Sequence, residues 1–290
     1  MKISVSSYSF QQLINSGEIS QADTVSKAHE IGFDSIEFTD LTGESFDQQA
    51  ELANKIRKKA DNLGMEITAY TIGASLFRPE GEDEEIARIK KQLEIAKILG
   101  AKILRHDACW KLTKTGEGRS FLLMLPRIST AIREITSYAE ALGIRTCVEN
   151  HGQLFQDSYR MEMLFNAVNH ENFRLLVDMG NFVCADEDSA TAVSRLAPYA
   201  IHVHAKDMYL YPYTHNKGGL TRASNKFVGA VVGEGIIPVE QNLITLKNAG
   251  YDGVVSIEYE GEKNCIDGIT EGFNNLKQMF KNIERLTGKE

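Results

Sequence analysis

Two imidazoles and an ammonium on alternate residues, in Ile201-His202-Val203-His204-Ala205-Lys206-Asp207, make this stretch of the 290-residue chain the best suited to chemistry. On a strand, His202, His204 and Lys206 share one face, and Ile201, Val203 and Ala205 share the other. Three further β-prone runs close on a carboxylate: Thr146-Cys147-Val148-Glu149-Asn150-His151, Leu175-Leu176-Val177-Asp178-Met179-Gly180-Asn181 and Val254-Val255-Ser256-Ile257-Glu258. Any one of them alone reads as a half-exposed strand with its polar side in water. Two Glu, one Asp and one His at four strand ends are a ligand set for one divalent cation, provided the fold gathers those ends.

Such gathering asks for alternating strands and helices, and the rest of the chain supplies them. Amphipathic helices end in Gly and lead into short strands at Gly32, Gly64, Gly100, Gly143 and Gly250, where glycine can take the left-handed conformation that closes a helix. The first strand is expected over 3–10. Helices are expected near 21–31 after Ser20, 47–63 after Ser45, 84–99, 121–142, 159–168, 189–196, 239–249 after Pro238, and 268–286. Eight αβ units over this length predict one domain over 1–290, a closed (β/α)8 TIM barrel. No Gly-x-Gly-x-x-Gly follows the first strand, so a dinucleotide fold has little support. With Val148, Val177, Val203 and Ile257 facing the helices, Glu149, Asp178, His204 and Glu258 would point inward at the C-terminal mouth. An inward salt-bridge cluster without metal is the bland alternative. It is disfavoured because no nearby Arg set is evident to neutralise three carboxylates.

Composition narrows the classes further. A net charge of −8 with no sustained Lys/Arg block argues against a large nucleic-acid footprint. The N-terminus lacks the apolar core of a signal peptide, and no run is long enough to span a bilayer, so a cytoplasmic protein with no membrane partner is expected. Cys109, Cys147, Cys184 and Cys265 are far apart and form no Cys-x-x-Cys, so they read as ordinary thiols.

The motifs Glu-Asn-His at 149–151, Val-Asp-x-Gly-Asn at 177–181, His-x-His-x-Lys-Asp at 202–207 and Ser-Ile-Glu at 256–258 together resemble the xylose isomerase-like sugar phosphate isomerase/epimerase family, which shares its barrel with AP endonucleases. The resemblance covers nearly the whole chain. It implies that Glu149, Asp178, His204 and Glu258 are the metal ligands, for Mn²⁺, Mg²⁺ or Co²⁺, with Zn²⁺ also accommodated. It implies too that Glu149 and Glu258 are catalytic, taking and returning a proton next to a carbonyl through an enediolate. The substrate would be a ketose, a keto-polyol or a phosphorylated relative. Barrels of this kind are commonly homo-oligomers, although no interface signature stands out.

Departures from the family set the rivals. The ketose 3-epimerase branch carries an Arg six residues after the strand 7 histidine, where this chain has Leu210. The His-x-Lys-Asp form is nearer the branch with inosose isomerases and dehydratases, so loss of water from a keto-polyol competes. An AP endonuclease-like phosphoesterase needs further His and Asp ligands; here strand 3 ends in Tyr70 and Asn181 stands where a His would be expected. A non-catalytic binding barrel is the third class.

The remaining candidates are substrate contacts. His151, Asn181 and Lys206 lie close in sequence to ligands, and Lys206 could equally pair with a local carboxylate. His106 ends the fourth strand and precedes Trp110, the single tryptophan, which could wall a sugar ring. Glu37 ends the second strand facing inward and could hold a hydroxyl or close a hydrogen-bond network. His202 sits one layer deeper as a satisfied core histidine. Loops at 71–83, 107–120 and 207–237 lie at the active-site face, and the last, rich in Tyr, reads as a lid or specificity loop.

Overall fold

The computed structural model describes residues 1–77, 81–109, 120–286 and 288. Its strands are β1 (Lys2–Ser6), β2 (Ser35–Thr39), β3 (Glu66–Ile72), β4 (Ile103–His106), β5 (Arg145–Glu149), β6 (Phe173–Asp178), β7 (Ala200–Ala205), β8 (Asp207–Tyr211), β9 (Gly219–Leu220), β10 (Lys226–Ala230) and β11 (Val254–Ile257). The helices are α1 (Gln11–Asn15), α2 (Thr24–Ile31), α3 (Phe46–Leu63), α4 (Glu82–Leu99), α5 (Phe121–Ala141), α6 (Ser158–Val168), α7 (Asn181–Cys184), α8 (Ser189–Leu196), α9 (Val239–Asn248) and α10 (Cys265–Leu286). Eight strands close in the order β1-β11-β7-β6-β5-β4-β3-β2, every pairing parallel. This is a single (β/α)8 TIM barrel, as the alternation of elements predicts.

Local chemistry explains the units. Gly32, Gly64, Gly100, Gly143 and Gly250 all take positive φ where helices turn into strands. Ser45 caps α3 in a capping box with Gln48, and Ser20 does the same with Asp23. The first strand is shorter than expected. It stops at Ser6, whose Oγ accepts from Tyr8 N, and Ser7–Phe10 turn as a 3-10 helix toward α1. Between strands and helices lies a continuous apolar layer including Ile36, Ile56, Leu93, Leu104, Val148, Val177, Val203 and Ile257, all with no accessible surface. Each such side chain contributes roughly 1.5–3 kcal/mol by burial.

The barrel interior differs from that layer. Register places Ser4 beside Ser256, Ser256 beside His204, and His204 beside Asp178, so one polar row crosses four strands on the inward face. The 207–237 segment also differs from its expectation as an open loop. It forms a three-stranded antiparallel sheet, ordered β8-β10-β9. Asp207 pins its return: Oδ2 accepts from Gly233 N and Gly235 N, both at 2.9 Å, and Oδ1 from Met208 N at 2.8 Å and Ile237 N at 3.0 Å. A Cβ on Gly235 would lie 2.1 Å from Asp207 Oδ1, so this knot needs glycine. The segment expected as a lid or specificity loop is therefore a hydrogen-bonded sheet. The 71–83 and 107–120 loops are described only in part.

Candidate metal centre

The strand ends meet as the sequence pattern requires. One donor atom each from Glu149, Asp178, His204 and Glu258 lies within 4.8 Å of all the others. His204 Nδ1 is the hub, 3.6 Å from Asp178 Oδ2, 3.7 Å from Glu258 Oε2 and 3.8 Å from Glu149 Oε1. These separations are too long for hydrogen bonds. They suit donors arranged about a shared ion with bonds of about 2.0–2.2 Å.

Each candidate donor is aimed by its neighbours. Asp178 Oδ1 accepts from Gly180 N at 2.7 Å and Asn181 N at 2.9 Å, which leaves Oδ2 turned to the hub. Asn150 ties the ends of β5 and β6 together: its Nδ2 donates to Asp178 O and its Oδ1 accepts from Asp178 N. Asn181 Nδ2 donates to Glu149 Oε1 at 2.8 Å. Behind His204, Glu37 Oε1 lies 2.9 Å from Nε2, and Glu37 Oε2 lies 2.5 Å from His202 Nε2. A carboxylate behind a ligating imidazole fixes its ring and raises its basicity.

The fit to a divalent cation rests on what the cluster lacks. Asp178 Oδ2 and His204 Nδ1 are buried without a hydrogen-bond partner of ordinary geometry. Orphaned buried donors and acceptors are costly unless an ion or water completes them. Charge gives the same answer. Burial opposes a proton on His204, but Glu37, Glu258 and Glu149 outweigh it and push its pKa well above the usual imidazole range. The place calls for positive charge.

Two cations stand beside the carboxylates: Arg105, where the sequence makes no Arg set evident, and Lys206, for which pairing with a local carboxylate is one of the two readings. Arg105 Nη2 reaches Glu149 Oε2 at 2.7 Å and Asp107 Oδ1 at 2.8 Å. Lys206 Nζ reaches Glu258 Oε2 at 2.5 Å, Glu260 Oε1 at 3.3 Å and Asp178 Oδ2 at 3.6 Å. Burial raises the Glu149 pKa, with Arg105 and His204 only partly offsetting it. For Glu258 the burial effect is overturned by Lys206 and His204, and the pKa falls well below the carboxylate range. Asp107, buried but facing Arg105 and His151, is held down to about 2.

Above the cluster opens a cavity of about 250 Å³. Glu149 and Glu258 face it, with Tyr8, Asp40, Arg105, His151, Lys206 and Glu260 among its walls. Of the expected substrate contacts, His151 and Lys206 line it, and His151 Nδ1 rests 2.9 Å from Asp107 Oδ1. Asn181 lies beneath, on Glu149. Glu37 has no accessible surface and sits behind His204, so it is placed to orient a ligand and not to meet substrate. His106 is out of register for the cavity: it pairs with Val148 on the helix-facing side, with Nδ1 on Asp107 O, and Arg105 beside Cys147 takes the inward position. Trp110 lies outside the described residues. His202 occupies the deeper layer expected of it, on Glu37, although its Nδ1 has no partner. Arg105 and Asn150 are the site residues that sequence reading passed over. For Arg105, alternation with His106 leaves two faces to choose between, and the alignment of β4 with β5 makes the choice.

Comparisons agree with this architecture. The xylose isomerase-like TIM barrel family matches residues 25–284. No curated protein matches the sequence. A probable 3-DHS dehydratase, AsbF, from Bacillus anthracis shares the fold with a TM-score of 0.74 at 19% identity, over 96% of this chain and 99% of that one. A D-psicose 3-epimerase from Clostridium cellulolyticum H10, solved with D-tagatose, gives 0.74 at 17% identity over 96% and 99%. A xylose isomerase-like TIM barrel protein from Mycobacterium smegmatis, in complex with magnesium, gives 0.69 at 16% over 91% and 88%. Identities this low speak for the fold alone. The family match spans most of the sequence, and the chain belongs to the xylose isomerase-like TIM barrel family.

Proposed function

We propose that this barrel is a divalent-metal-dependent sugar isomerase or epimerase acting on a ketose or keto-polyol. One observation carries the reading: Glu149 and Glu258 belong to the same donor cluster yet both face the cavity. A divalent ion held there would polarise a carbonyl and an adjoining hydroxyl. Of the two carboxylates, one takes the proton from the carbon next to the carbonyl and the other side of the site returns one, giving an enediolate in between. Arg105 and Asn181 hold Glu149 in place, and Lys206 and His151 offer polar contacts to substrate oxygens. The D-psicose 3-epimerase among the structural neighbours acts on a substrate of this class, which supports the reading by analogy. The enzyme would work in the cytoplasm.

Loss of water from a keto-polyol is the second reading, favoured by the His151–Asp107 pair at the cavity wall and by Leu210, which stands exposed on β8 in place of the Arg of the ketose 3-epimerase branch. A departing hydroxyl needs a proton donor, and a protonated His151 would serve, its Nδ1 standing 2.9 Å from Asp107 Oδ1 and 3.0 Å from Arg105 Nη2. The neighbouring probable 3-DHS dehydratase supports it by analogy. Incubation with Mn²⁺ and a panel of ketoses and inososes in deuterated water, read by NMR, tests both. Deuterium entering next to the carbonyl without loss of water supports isomerisation, and an unsaturated product supports dehydration. No exchange and no product across the panel, with Mn²⁺ bound, would count against both.

A further inference from the structure

The same two oxygens that face the His204 hub also face an ammonium. Glu258 Oε2 is 3.7 Å from His204 Nδ1 and 2.5 Å from Lys206 Nζ; Asp178 Oδ2 is 3.6 Å from each. Lys206 is buried, and its stem is fixed against the β6–α7 turn: a Cβ on Gly180 would lie 2.8 Å from Lys206 Cγ and 3.0 Å from its carbonyl oxygen. The head group has alternatives within reach. Glu260 Oε1 lies at 3.3 Å and Asn181 Oδ1 at 3.4 Å, and neither atom belongs to the four-donor set.

We propose that Lys206 is the built-in counter-ion of the metal-free centre, neutralising Glu258 and Asp178 until a divalent cation takes those oxygens and the ammonium passes to Glu260. The inference rests on the metal-site reading given above. Two positive groups cannot share the Glu258 and Asp178 oxygens without strong repulsion at such distances. An ammonium has three donors, so giving up the Glu258 and Asp178 contacts still leaves it Glu260 and Asn181. The two carboxylates that would otherwise repel one another stay assembled without metal, and the cost of displacing Lys206 limits how tightly the metal is held. Glu260 thereby tunes metal affinity without being a ligand.

The experiment is calorimetric titration of Mn²⁺ into chelator-stripped full-length protein, for the parent, Lys206→Met, Glu260→Gln and the double variant, with thermal melts of each. Lys206→Met should bind Mn²⁺ roughly tenfold tighter or more, and melt lower than the parent only when metal-free. Glu260→Gln should bind roughly threefold weaker in the parent background and show no such loss when Lys206 is already Met, the coupling a shared ammonium demands. Equal or weaker binding by Lys206→Met, or an undiminished Glu260→Gln effect in the double variant, would overturn the displacement while leaving the metal site standing. No Mn²⁺ uptake by the parent would remove the metal-site reading and this inference together. Should Lys206→Met fold only with Mn²⁺ present, that is the expected destabilisation in its extreme form.

Discussion

Two adjacent layers of the barrel interior use the same side-chain chemistry to opposite ends. In the lower layer Glu37 lies between two imidazoles, 2.5 Å from His202 Nε2 and 2.9 Å from His204 Nε2, with no accessible surface. In the upper layer three carboxylates share one imidazole, and Asp178 Oδ2 and His204 Nδ1 lack hydrogen-bond partners. Burial disfavours ionised Glu37, yet the imidazoles outweigh it and its pKa is lowered. The lower layer is closed to solvent, although Glu37 Oε1 and His202 Nδ1 also lack hydrogen-bond partners, while the upper opens onto the cavity and has Arg105 and Lys206 beside its carboxylates. His204 belongs to both, giving one ring nitrogen to each. Buried charge is tolerated inside a protein when it is paired, so what separates the two layers is access: the carboxylates Glu149 and Glu258 of the upper layer face the cavity, and Glu37 does not.

Asp178→Asn should break the contrast from above. The substitution keeps an oxygen for the Gly180 and Asn181 amides but removes the charged donor that faces the hub. Metal content by elemental analysis should collapse and turnover fall at least about a thousandfold. Unfolding of the metal-free variant should stay within about 1 kcal/mol of the parent, because one of three crowded carboxylates is gone. A large loss of metal-free stability would mean that the upper layer is structural after all.

Glu37→Gln attacks the lower layer and should reverse the pattern. Removing the carboxylate between two buried imidazoles should cost about 3–5 kcal/mol of stability in urea unfolding. Metal stoichiometry should survive, with affinity weakened about 10- to 100-fold because the His204 ring loses its backing. Complete loss of metal with unchanged stability would instead place Glu37 among the ligands.

The legible part of this molecule is what a single strand can tell. Glu149, Asp178, His204 and Glu258 each lie at the end of a β-prone run, so one face is theirs once the barrel is granted, and the helix-ending glycines give the number of units. What was hidden depends on relations between strands. Asn150 matters because it spans from the end of β5 to the backbone of β6, a contact that no local pattern encodes. Arg105 outranks His106 only once β4 is aligned with β5, where Arg105 falls beside Cys147 and His106 beside Val148. Glu37 was given the right face and the wrong depth, since β2 runs on to Thr39 and leaves it below the mouth. The 207–237 segment reads as a loop because its turn residues interrupt the alternation. Its order comes from Asp207 gathering four backbone amides and from the contact of Gly229 with Gly261.

His106 offers the smallest and most selective test of the contrast, because it is a third buried imidazole that belongs to neither layer. Burial is the main influence on it, and the Asp107 carbonyl on Nδ1 and the Asp107 charge offset it only partly; the pKa is pushed down to about 4. His204, equally buried, is pushed the other way by its carboxylates. In the unfolded chain a histidine titrates near 6.5. The folded value lies below that, so the unfolded state takes up the proton first as the pH falls. His106 therefore costs no stability above about pH 6.5 and progressively more between there and about pH 4. By linkage the penalty at pH 5 is about 2 kcal/mol. His106→Asn can still donate to the Asp107 carbonyl and should be less stable than the parent near neutrality through lost packing, yet should lose about 2 kcal/mol less between about pH 7 and pH 5. Urea unfolding of both proteins at the two pH values, in chelator, measures this difference of differences. If both lose the same amount, His106 is not the buried neutral imidazole described, and the opposition between paired and unpaired histidines inside the barrel loses its third case.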